Sequence, residues 1–321
     1  MKITRYFNLF YFIIILIVII FIINYFYSKN ENAIPFPEKK EFKKSIEVII
    51  SRYNEDLKWT LESPFNKYKY IVYNKGDNED FEKTNVISSI NIKNQGKCDH
   101  TYLYHVVHNY DYLADIIIFL PGCLNENYYK VSKTILLLEL IDKYNEAFFI
   151  YDYKSDTSIL SDYYYLKIDD YTSISKVNAD KNSEVIFRKS KIRPFGKWYN
   201  SNFDYNINYV SFFGIFSLNR KDIYNHKKQI YFKYMKSLEG AINDELSHYF
   251  ERSWEAIVYP MNYTYKLNYT NKITTFIQKY FANYIKEKKK NYTLDCSAMP
   301  RIGPPYWNFI YFVNKYTYHY L

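Results

Sequence analysis

The sequence predicts an α/β domain with a mostly parallel sheet, preceded by a single transmembrane helix. A long uncharged apolar stretch lies near the N-terminus. Behind it, short β-branched runs alternate with segments of helical periodicity. Strands that alternate with helices build parallel sheets, because each helix returns the chain to the starting edge of the next strand.

The composition sets wide limits on function. The 321 residues are enough for one large or two medium domains, and the chain has 40 Tyr and 24 Phe but only 7 Gly. This bias is typical of an AT-rich genome, since Tyr, Asn, Lys, Ile and Phe use AT-rich codons. The net charge of +9 is spread along the chain and forms no nucleic-acid-binding module. Such a charge suits an anionic ligand or membrane surface, but genomic lysine enrichment is the favoured explanation.

The cysteines predict neither a disulfide framework nor a zinc site. Cys98, Cys123 and Cys296 are few and odd in number, and no C-x-x-C occurs. The sequence does not decide whether two of them form a disulfide.

Residues 1–28 are predicted to form a membrane anchor. No charge occurs between Arg5 and Lys29, and this window spans about 34 Å as a helix at ~1.5 Å per residue. That length crosses a hydrocarbon layer of about 30 Å. The alternative, a cleaved signal peptide, requires a shorter apolar region and a small-residue cleavage site, which the following sequence lacks. Residues 29–44, which contain Pro35 and Pro37, are predicted to be an extended linker.

Apolar periodicity predicts the elements of the soluble part. In the first half they are strand 46–50, short helix 57–61, strand 68–73, short strand 84–92, helix 99–109, strand 116–120 and helix 131–145. In the second half they are strand 210–218 and helices 227–238, 243–259 and 272–290. We assign residues 45–262 to the α/β domain and 263–321 to a helical or irregular tail. Ligands bind at the carboxyl ends of parallel strands, so the polar turns after Ile50, Tyr73 and Leu120 are expected to share one crevice.

The turns after the first two strands carry candidate ligand-binding residues. Arg52, Asn54 and Glu55 follow the first strand and could hold a phosphate and sugar hydroxyls. The alternative is a helix N-cap at Asn54, with Glu55 complementing the helix dipole. Lys75 follows the second strand and could meet a phosphate, or it could lie in a plain solvent-exposed turn.

Asp99 and His100 begin the predicted helix 99–109, which continues through His105 and His108. The last two share a helical face and could form a metal pair, but no third ligand is evident. A hydrogen-bonded polar face is the alternative.

The predicted helix 243–259 carries a candidate catalytic group. Glu245, His248 and Glu251 follow one another at intervals of three residues and are expected near one helical face. A carboxylate positioned by a histidine could act as a general base or bind a divalent ion. The alternative is a salt-bridged surface face.

Several of these stretches also carry a resemblance. They are VIISRYNEDLKW (48–59), IVYNKGD (71–77), NQGKCDHTYLYHVVHNYDYLADIIIFLPG (94–122), IRPFGKWY (192–199), FFGIFSLNRKDI (212–223) and ELSHYFERSWEAIVYP (245–260). In this order they resemble DUF3431, an uncharacterised, glycosyltransferase-like domain family of fungi, protists and large DNA viruses. The compositional bias is similar to that of giant viruses. The resemblance covers residues 46 to 260, and its longest block, 94–122, is specific.

The resemblance implies a GT-A-like, three-layer α/β fold with a nucleotide-binding half followed by an acceptor half. On this basis Arg52, Asn54 and Glu55 would border the donor nucleotide, with Asp99 and His100 beside it. Glu245, His248 and Glu251 would face the acceptor, and Glu245 or Glu251 would deprotonate its hydroxyl.

The metal site of such enzymes is where this chain departs from the pattern. Most GT-A enzymes carry Asp-x-Asp at the end of a central strand, where it holds Mn²⁺ or Mg²⁺. Here the corresponding strand ends in Pro121-Gly122-Cys123, and neither Asp152-Tyr-Lys nor Asp169-Asp170 is a convincing substitute. We therefore assign no metal ligands, and a Mn²⁺ or Mg²⁺ cofactor is left open without an Asp-x-Asp motif to hold it.

These expectations give a membrane-anchored glycosyltransferase with a nucleotide-sugar donor, a glycan or protein acceptor and no nucleic-acid partner. The alternative is a non-catalytic glycan-binding or structural membrane protein that keeps the fold. A count of flanking lysines favours a cytosolic domain. The tail–anchor–stem arrangement of lumen-facing sugar transferases instead favours a lumenal domain, or one on a virion membrane. Sequons at Asn262, Asn268 and Asn291 offer a test of the lumenal orientation.

Overall fold

The computed structural model describes residues 43–126, 128–170, 186–269 and 293–295. Its strands are β1 (Ile46–Arg52), β2 (Tyr70–Asn74), β3 (Val86–Asn91), β4 (Ile116–Pro121), β5 (Ala147–Tyr151), β6 (Tyr153–Lys154), β7 (Lys167–Asp170), β8 (Tyr209–Val210), β9 (Phe216–Asn219), β10 (Thr264–Asn268) and β11 (Thr293–Asp295). Its α-helices are α1 (Lys97–His108), α2 (Tyr128–Tyr144), α3 (Ile159–Tyr163), α4 (Phe195–Asn200), α5 (Arg220–Ile223), α6 (Lys228–Ser237), α7 (Glu245–Glu251) and α8 (Trp254–Ile257). The short helix predicted at 57–61 is a 3-10 turn, Lys58–Leu61.

The central sheet has the strand order β3-β2-β1-β4-β9. β1 pairs in parallel with β2 and β4, and β2 with β3, whereas β9 is antiparallel to β4. This confirms the predicted α/β class with a mostly parallel sheet. The chain adds β2 and β3 on one side of β1 and then β4 on the other, so the strand order reverses between β1 and β4. Ligands bind at such a reversal, outside the carboxyl ends of the strands.

Both faces of the sheet are covered, which explains why β1 and β4 are apolar without interruption. Ile49 and Phe119 belong to one buried cluster, which includes side chains of α1 and α7. Ile50 and Ile118 belong to a second cluster, which includes side chains of α2. Successive side chains of a strand point to opposite faces, so the domain has three layers.

The strand layer continues past β9 through β5. Ser217 of β9 bonds β5, because its Oγ accepts from Phe148 N (2.8 Å) and donates to Phe148 O (3.1 Å). β10 pairs in parallel with β5 from Thr264 to Asn268, beyond the domain boundary expected at residue 262. Neither β5 nor β7 was predicted from the sequence.

The single strand predicted at 210–218 is wrong. The chain instead forms β8, a turn over residues 211–215, and β9. Phe213 and Gly214 have φ angles of 68° and 65°, in the left-handed region that a strand excludes. The sequence run is apolar because the turn is packed inside the protein.

The single helix predicted at 243–259 is also wrong, because the chain forms α7 and α8 instead. α7 begins after Asp244, whose side chain accepts from Ser247 N, and ends at Glu251. Ser253 interrupts the helix, and its Oγ donates to Tyr249 O (2.8 Å), a bond that competes with the helical backbone.

Within the described ranges, no helix has the length and apolarity to span a bilayer. The predicted anchor 1–28, residues 29–42 of the linker, and the predicted helix 272–290 lie outside those ranges.

Candidate functional site

The three polar turns expected to share a crevice lie together at the carboxyl edge of the sheet. Lys75 N donates to Arg52 O (2.8 Å), which joins the turn after β2 to the end of β1. Gly122 N donates to Ser51 O (2.7 Å), which joins the turn after β4 to the same strand. The parallel register brings these strand ends to one edge, so the turns that follow them meet there.

Arg52 connects the loops at this edge through buried hydrogen bonds. It is fully buried, and its guanidinium donates to Glu55 O (2.7 Å), Asn74 Oδ1 (2.5 Å) and Asn78 O (2.6 Å). It also lies over the Phe81 ring at 4.1 Å. Most of its donors therefore hold the two loops in place, which is a structural role beside the ligand-binding role predicted for it.

Asn54 and Glu55 do not cap a helix. Asn54 Oδ1 accepts from Asn78 N (3.3 Å) in the neighbouring loop. Glu55 is buried, its Oε2 accepts from Tyr53 N (2.6 Å), and burial raises its pKa. A Cβ atom at Gly122 would lie 2.7 Å from Glu55 Oε2, so the carboxylate needs glycine at the end of β4. Glu55 therefore lies at the reversal between β1 and β4.

Lys75 links the strand ends to the start of α1. Its Nζ donates to Gln95 O (2.7 Å) and to Lys97 O, and burial lowers its pKa to about 8. It is thus not part of a plain solvent-exposed turn. An open cleft of about 490 Å³ lies beside it, lined by Asn74, Lys75, Gly76, Asp77, Glu79, Asn91, Ile92, Lys93, Asn94 and Ile242.

α1 begins at a position that requires glycine. Gly96 has a φ of 54°, and a Cβ there would lie 2.7 Å from the Cβ atoms of His100 and Leu238. Gly96 therefore packs closely against His100 and Leu238, and the first N–H groups of α1 have no side-chain cap.

Asp99 and His100 are buried in the first turn of α1. Asp99 Oδ1 accepts from Trp254 Nε1 (2.7 Å). Burial, together with the negative charge of Glu251, raises the pKa of Asp99 to about 8. Burial lowers the pKa of His100 to about 3, with Lys75 adding to the effect. At neutral pH both side chains are therefore uncharged.

His105 and His108 do not form a metal pair. His105 Nδ1 bonds Tyr73 OH (2.9 Å), and its Nε2 lies 3.0 Å from Glu47 Oε1. His108 stacks on Tyr104 at 3.8 Å. Of the residues described, no three His, Cys, Asp or Glu side chains are grouped to hold a metal.

The shared face predicted for Glu245, His248 and Glu251 splits in the structure. Six helical residues turn through about 600°, which leaves Glu245 and Glu251 roughly 120° apart. His248 instead contacts α1, where its Nε2 accepts from Lys97 Nζ (2.9 Å). Burial lowers the pKa of His248 well below its ordinary value, and Lys97 and Arg252 add to this.

Glu245 is fully occupied by structural contacts. Its Oε1 accepts from Ile168 N (2.9 Å) and Tyr249 OH (2.6 Å). Its Oε2 accepts from Ser190 N (2.9 Å) and pairs with Arg193 Nε at 2.7 Å. A carboxylate has about four acceptor positions, and here three hydrogen-bond donors and the Arg193 cation surround them. Glu245 therefore anchors residues 168 and 190–193 to α7, and a role for it as a base stays a prediction.

Glu251 has a different environment. Its side chain is 26% exposed, and its Oε2 lies 3.6 Å from Arg252 Nη1. Its Oε1 accepts from Phe213 N (3.0 Å), the residue with the left-handed φ angle. Of the two carboxylates considered as a base, Glu251 is the one that solvent and a substrate can reach.

Sequence reasoning missed the buried ion pair that holds this turn. Lys133 Nζ lies 2.6 Å from Asp152 Oδ2, and both side chains are fully buried. Lys133 also donates to Ser211 Oγ (2.9 Å) and Phe212 O (3.1 Å), while Asp152 Oδ2 accepts from Phe212 N (2.6 Å). In the sequence, Asp152 is weighed only as a metal ligand and Lys133 is not singled out.

Cys98 and Cys123 are free thiols at this edge. Cys123 Sγ lies 3.0 Å from Lys130 Nζ. Burial raises the pKa of both thiols, that of Cys98 to about 12. Both are therefore protonated at neutral pH, and Cys296 lies outside the described residues.

No protein-family model matches the chain, and no match was found among curated proteins or among solved structures.

Proposed function

We propose that this chain is a glycosyltransferase that moves a sugar from a nucleotide-sugar donor to a glycan or protein acceptor. One observation carries the proposal: the carboxyl edge of the parallel strands joins an open polar cleft to a reachable carboxylate, Glu251. Lys75 lines the cleft and donates to Lys97 O. Lys97 Nζ bonds His248, which precedes Glu251 by about one turn of α7.

The cleft suits the nucleoside part of a donor. It lies at the ends of β2 and β3, beside the N-terminus of α1, where α/β proteins hold nucleotides. Its lining includes Asp77 and Glu79, whose carboxylates can accept from ribose hydroxyls, and Asn94, whose amide can pair with a base edge. The GT-A-like fold and the resemblance to DUF3431 belong to this proposal, and the three-layer order with the cleft in the first half supports them.

Glu251 would act as the general base on the acceptor hydroxyl. A base needs an acceptor oxygen that a substrate can approach. Oε1 is held by Phe213 N, and Oε2, 3.6 Å from Arg252, remains available for a proton. His248 is neutral and bonded to Lys97, so its role is to position the end of α7.

Nucleotide binding tests the first half of the proposal. We expect UDP, GDP or a matching nucleotide sugar to raise the melting temperature of the full-length chain. At a ligand concentration of 100 times Kd, the free energy of unfolding should increase by about 2.7 kcal/mol. Asp77→Asn and Glu79→Gln should reduce that effect. Asp111→Asn is the matched control, since Asp111 is an exposed carboxylate that follows α1 at the opposite edge.

Sugar transfer tests the second half. Release of nucleoside diphosphate from the donor should require the acceptor and should fall in Glu251→Gln. If glycans bind while no nucleotide does, the alternative of a non-catalytic glycan-binding protein replaces this proposal. The membrane attachment is also proposed, on the apolar sequence of residues 1–28.

A further inference from the structure

Two lysines in the part of the chain that the structure describes are almost fully buried, and one of them lacks a carboxylate partner there. Lys133 pairs with Asp152 at 2.6 Å. Lys75 is 8% exposed, and its ammonium bonds only the carbonyl oxygens of Gln95 (2.7 Å) and Lys97 among the described residues. A buried charge is normally paired with an opposite charge. The isolated charge of Lys75 therefore needs an explanation.

The carboxylates whose charges act on Lys75 are neutral or engaged elsewhere. Burial lowers the pKa of Lys75 to about 8, against the raising effect of Cys98, Asp99 and Asp244. Asp99 has a pKa of about 8 and is protonated at neutral pH. Asp244 pairs with Arg188 (2.9 Å) and caps α7. At neutral pH, Lys75 is therefore mostly charged and has no counter-ion of its own among the residues described.

The ammonium of Lys75 keeps one N–H for a ligand. An ammonium has three donors, and the two carbonyl oxygens use two of them. Lys75 also lines the open cleft of about 490 Å³ at the ends of β2 and β3. An acceptor oxygen that enters this cleft can therefore take the third N–H and supply the missing negative charge.

The lining of the cleft carries charges of both signs. Lys93 supplies a second cation, and Asp77 and Glu79 supply carboxylates. Glu79 is held in place, because its Oε1 accepts from Asn91 Nδ2 (2.7 Å). A simple inorganic anion would use only the lysines. A nucleoside diphosphate offers phosphate oxygens to the lysines and hydroxyl donors to the carboxylates, so the mixed lining favours it.

We infer that Lys75 binds a diphosphate group in this cleft and that the ligand supplies the counter-ion that Lys75 lacks. The inference rests on the proposed function and deepens it, because the diphosphate would be that of the nucleotide sugar. Lys75 bonds α1 through Lys97 O, and Lys97 Nζ bonds His248 of α7. Binding at Lys75 therefore holds the diphosphate at the part of the cleft that is linked to the helix carrying Glu251.

Calorimetry on the full-length chain tests the inference, with UDP, GDP, their nucleosides and inorganic pyrophosphate as probes. We expect the matching nucleoside diphosphate to bind more tightly than its nucleoside, and pyrophosphate to bind more weakly than the nucleoside diphosphate. Lys75→Gln removes the charge but keeps an amide donor for the carbonyl oxygens. It should weaken the binding of nucleoside diphosphate and pyrophosphate about ten-fold or more, the loss expected for one charge-assisted hydrogen bond. The affinity for the nucleoside should change less than about two-fold.

Lys228→Gln is the control for loss of one positive charge. Lys228 is 3.7 Å from Asp111 at the start of α6 and does not line the cleft, so binding should change less than about two-fold.

A second pair of variants leaves the buried lysine in place, in case Lys75→Gln does not fold. Ile242 lines the cleft and is 39% exposed, so Ile242→Glu should repel pyrophosphate and weaken its binding about three-fold or more. Ile87→Glu is the matched control, because Ile87 is 65% exposed near the other end of β3.

Wild-type affinity for pyrophosphate and nucleoside diphosphate in folded Lys75→Gln would overturn the inference and leave the proposed function standing. The same result in Ile242→Glu decides the matter if Lys75→Gln unfolds. A folded chain that binds none of the probes would overturn both. Pyrophosphate binding that depends on Lys75, without any binding of UDP or GDP, would retain the diphosphate site and remove the proposed function.

Discussion

Glu245 and Glu251 are the same residue type on the same short helix, and their surroundings give them different roles. Glu245 has no exposed surface, accepts three hydrogen bonds and pairs with Arg193, whereas Glu251 is partly exposed and accepts from one backbone N–H. A buried, saturated carboxylate organises structure, and a partly exposed one can exchange a proton.

We expect Glu251→Gln to lower the transfer rate by about 10²–10⁴ without unfolding the protein. The amide oxygen can still accept from Phe213 N, so the turn keeps its contact. Steady-state kinetics and a thermal melt of the same sample measure the two effects. A variant with wild-type kcat would exclude Glu251 as the base.

Glu245→Gln should instead lower the stability of the protein without acting on the transfer step. Removing this charge leaves Arg193 without its nearest partner, and since that arginine is 21% exposed, we expect a loss of about 2–3 kcal/mol. Urea unfolding measures it. A loss of activity at unchanged stability would mean that Glu245 participates in chemistry.

Asp99 makes the stability of the protein depend on pH. Its folded pKa is about 8, against 3.8 as its ordinary value, so the folded state holds a proton that the unfolded state releases. Stability therefore falls as pH rises from about 4 to about 8, by at most about 1.4 kcal/mol per pH unit from this group. Above pH 8 the contribution is constant.

Asp99→Asn should remove this dependence, since asparagine keeps the acceptor for Trp254 Nε1 and cannot ionise. We expect the variant to become more stable than wild type as pH rises, as measured by urea unfolding at several pH values. The buried Lys75 has a pKa of about 8, so its titration changes stability only above pH 8. Its effect can therefore be separated from that of Asp99. Parallel curves for wild type and variant between pH 5 and 8 would contradict the assignment.

At the scale of elements, the turn 211–214 is held by charges from three segments. Lys133 lies on α2, Asp152 follows β5 and Glu251 ends α7, and each bonds the backbone of Phe212 or Phe213. A bulky residue with positive φ costs about 1–3 kcal/mol and persists only where its surroundings impose it. The strained residue is Phe213, whose N–H holds Glu251, and this supports a role for the turn in orienting that carboxylate.

Lys133→Met should destabilise the protein by about 3–5 kcal/mol, because it leaves Asp152 charged and buried without its cation. Adding Asp152→Asn should recover part of that loss, since the charge disappears while an acceptor for Phe212 N remains. Equilibrium denaturation of the single and double variants measures both steps. A single variant within 0.5 kcal/mol of wild type, a margin of about the size expected for surface changes, would refute the assignment.

The first-half elements could be predicted because their pattern is local. The run 116–120 is apolar throughout and β4 is buried on both faces, while helix 99–109 is periodic and α1 follows it. The turn at 211–215 could not be predicted, since its conformation depends on Lys133 and Asp152, residues distant in sequence. β5, which begins three residues after the end of α2, was not predicted.

At the scale of the whole molecule, parallel topology made half of the site predictable. Arg52, Lys75 and Gly122 could be placed together because parallel strands end at one edge. The α7 side was not predictable in detail, because the environments of Glu245 and Glu251 depend on contacts from Ile168, Ser190 and the turn 211–215, which are distant in sequence.

The side of the membrane on which this domain lies can be tested through its sequons. Asn262 and Asn268 are exposed in the structure, so a glycan on either can be accommodated. Thr264, the hydroxyl residue of the first sequon, is buried and donates to Asp222 Oδ2 (2.6 Å). Modification at Asn262 would therefore precede the folding of β10, as it does when a chain is glycosylated during entry into the lumen.

If the domain is lumenal, we expect endoglycosidase treatment to increase the gel mobility of the full-length chain expressed in a eukaryotic cell. Asn262→Gln should remove one glycan and leave the melting temperature nearly unchanged, because it leaves the buried Thr264 hydroxyl in place. Thr264→Ala would remove the same glycan but also the bond to Asp222, so it is the poorer choice. An unglycosylated chain whose domain is digested by protease added outside intact microsomes would place the domain in the cytosol, as the flanking lysines suggest.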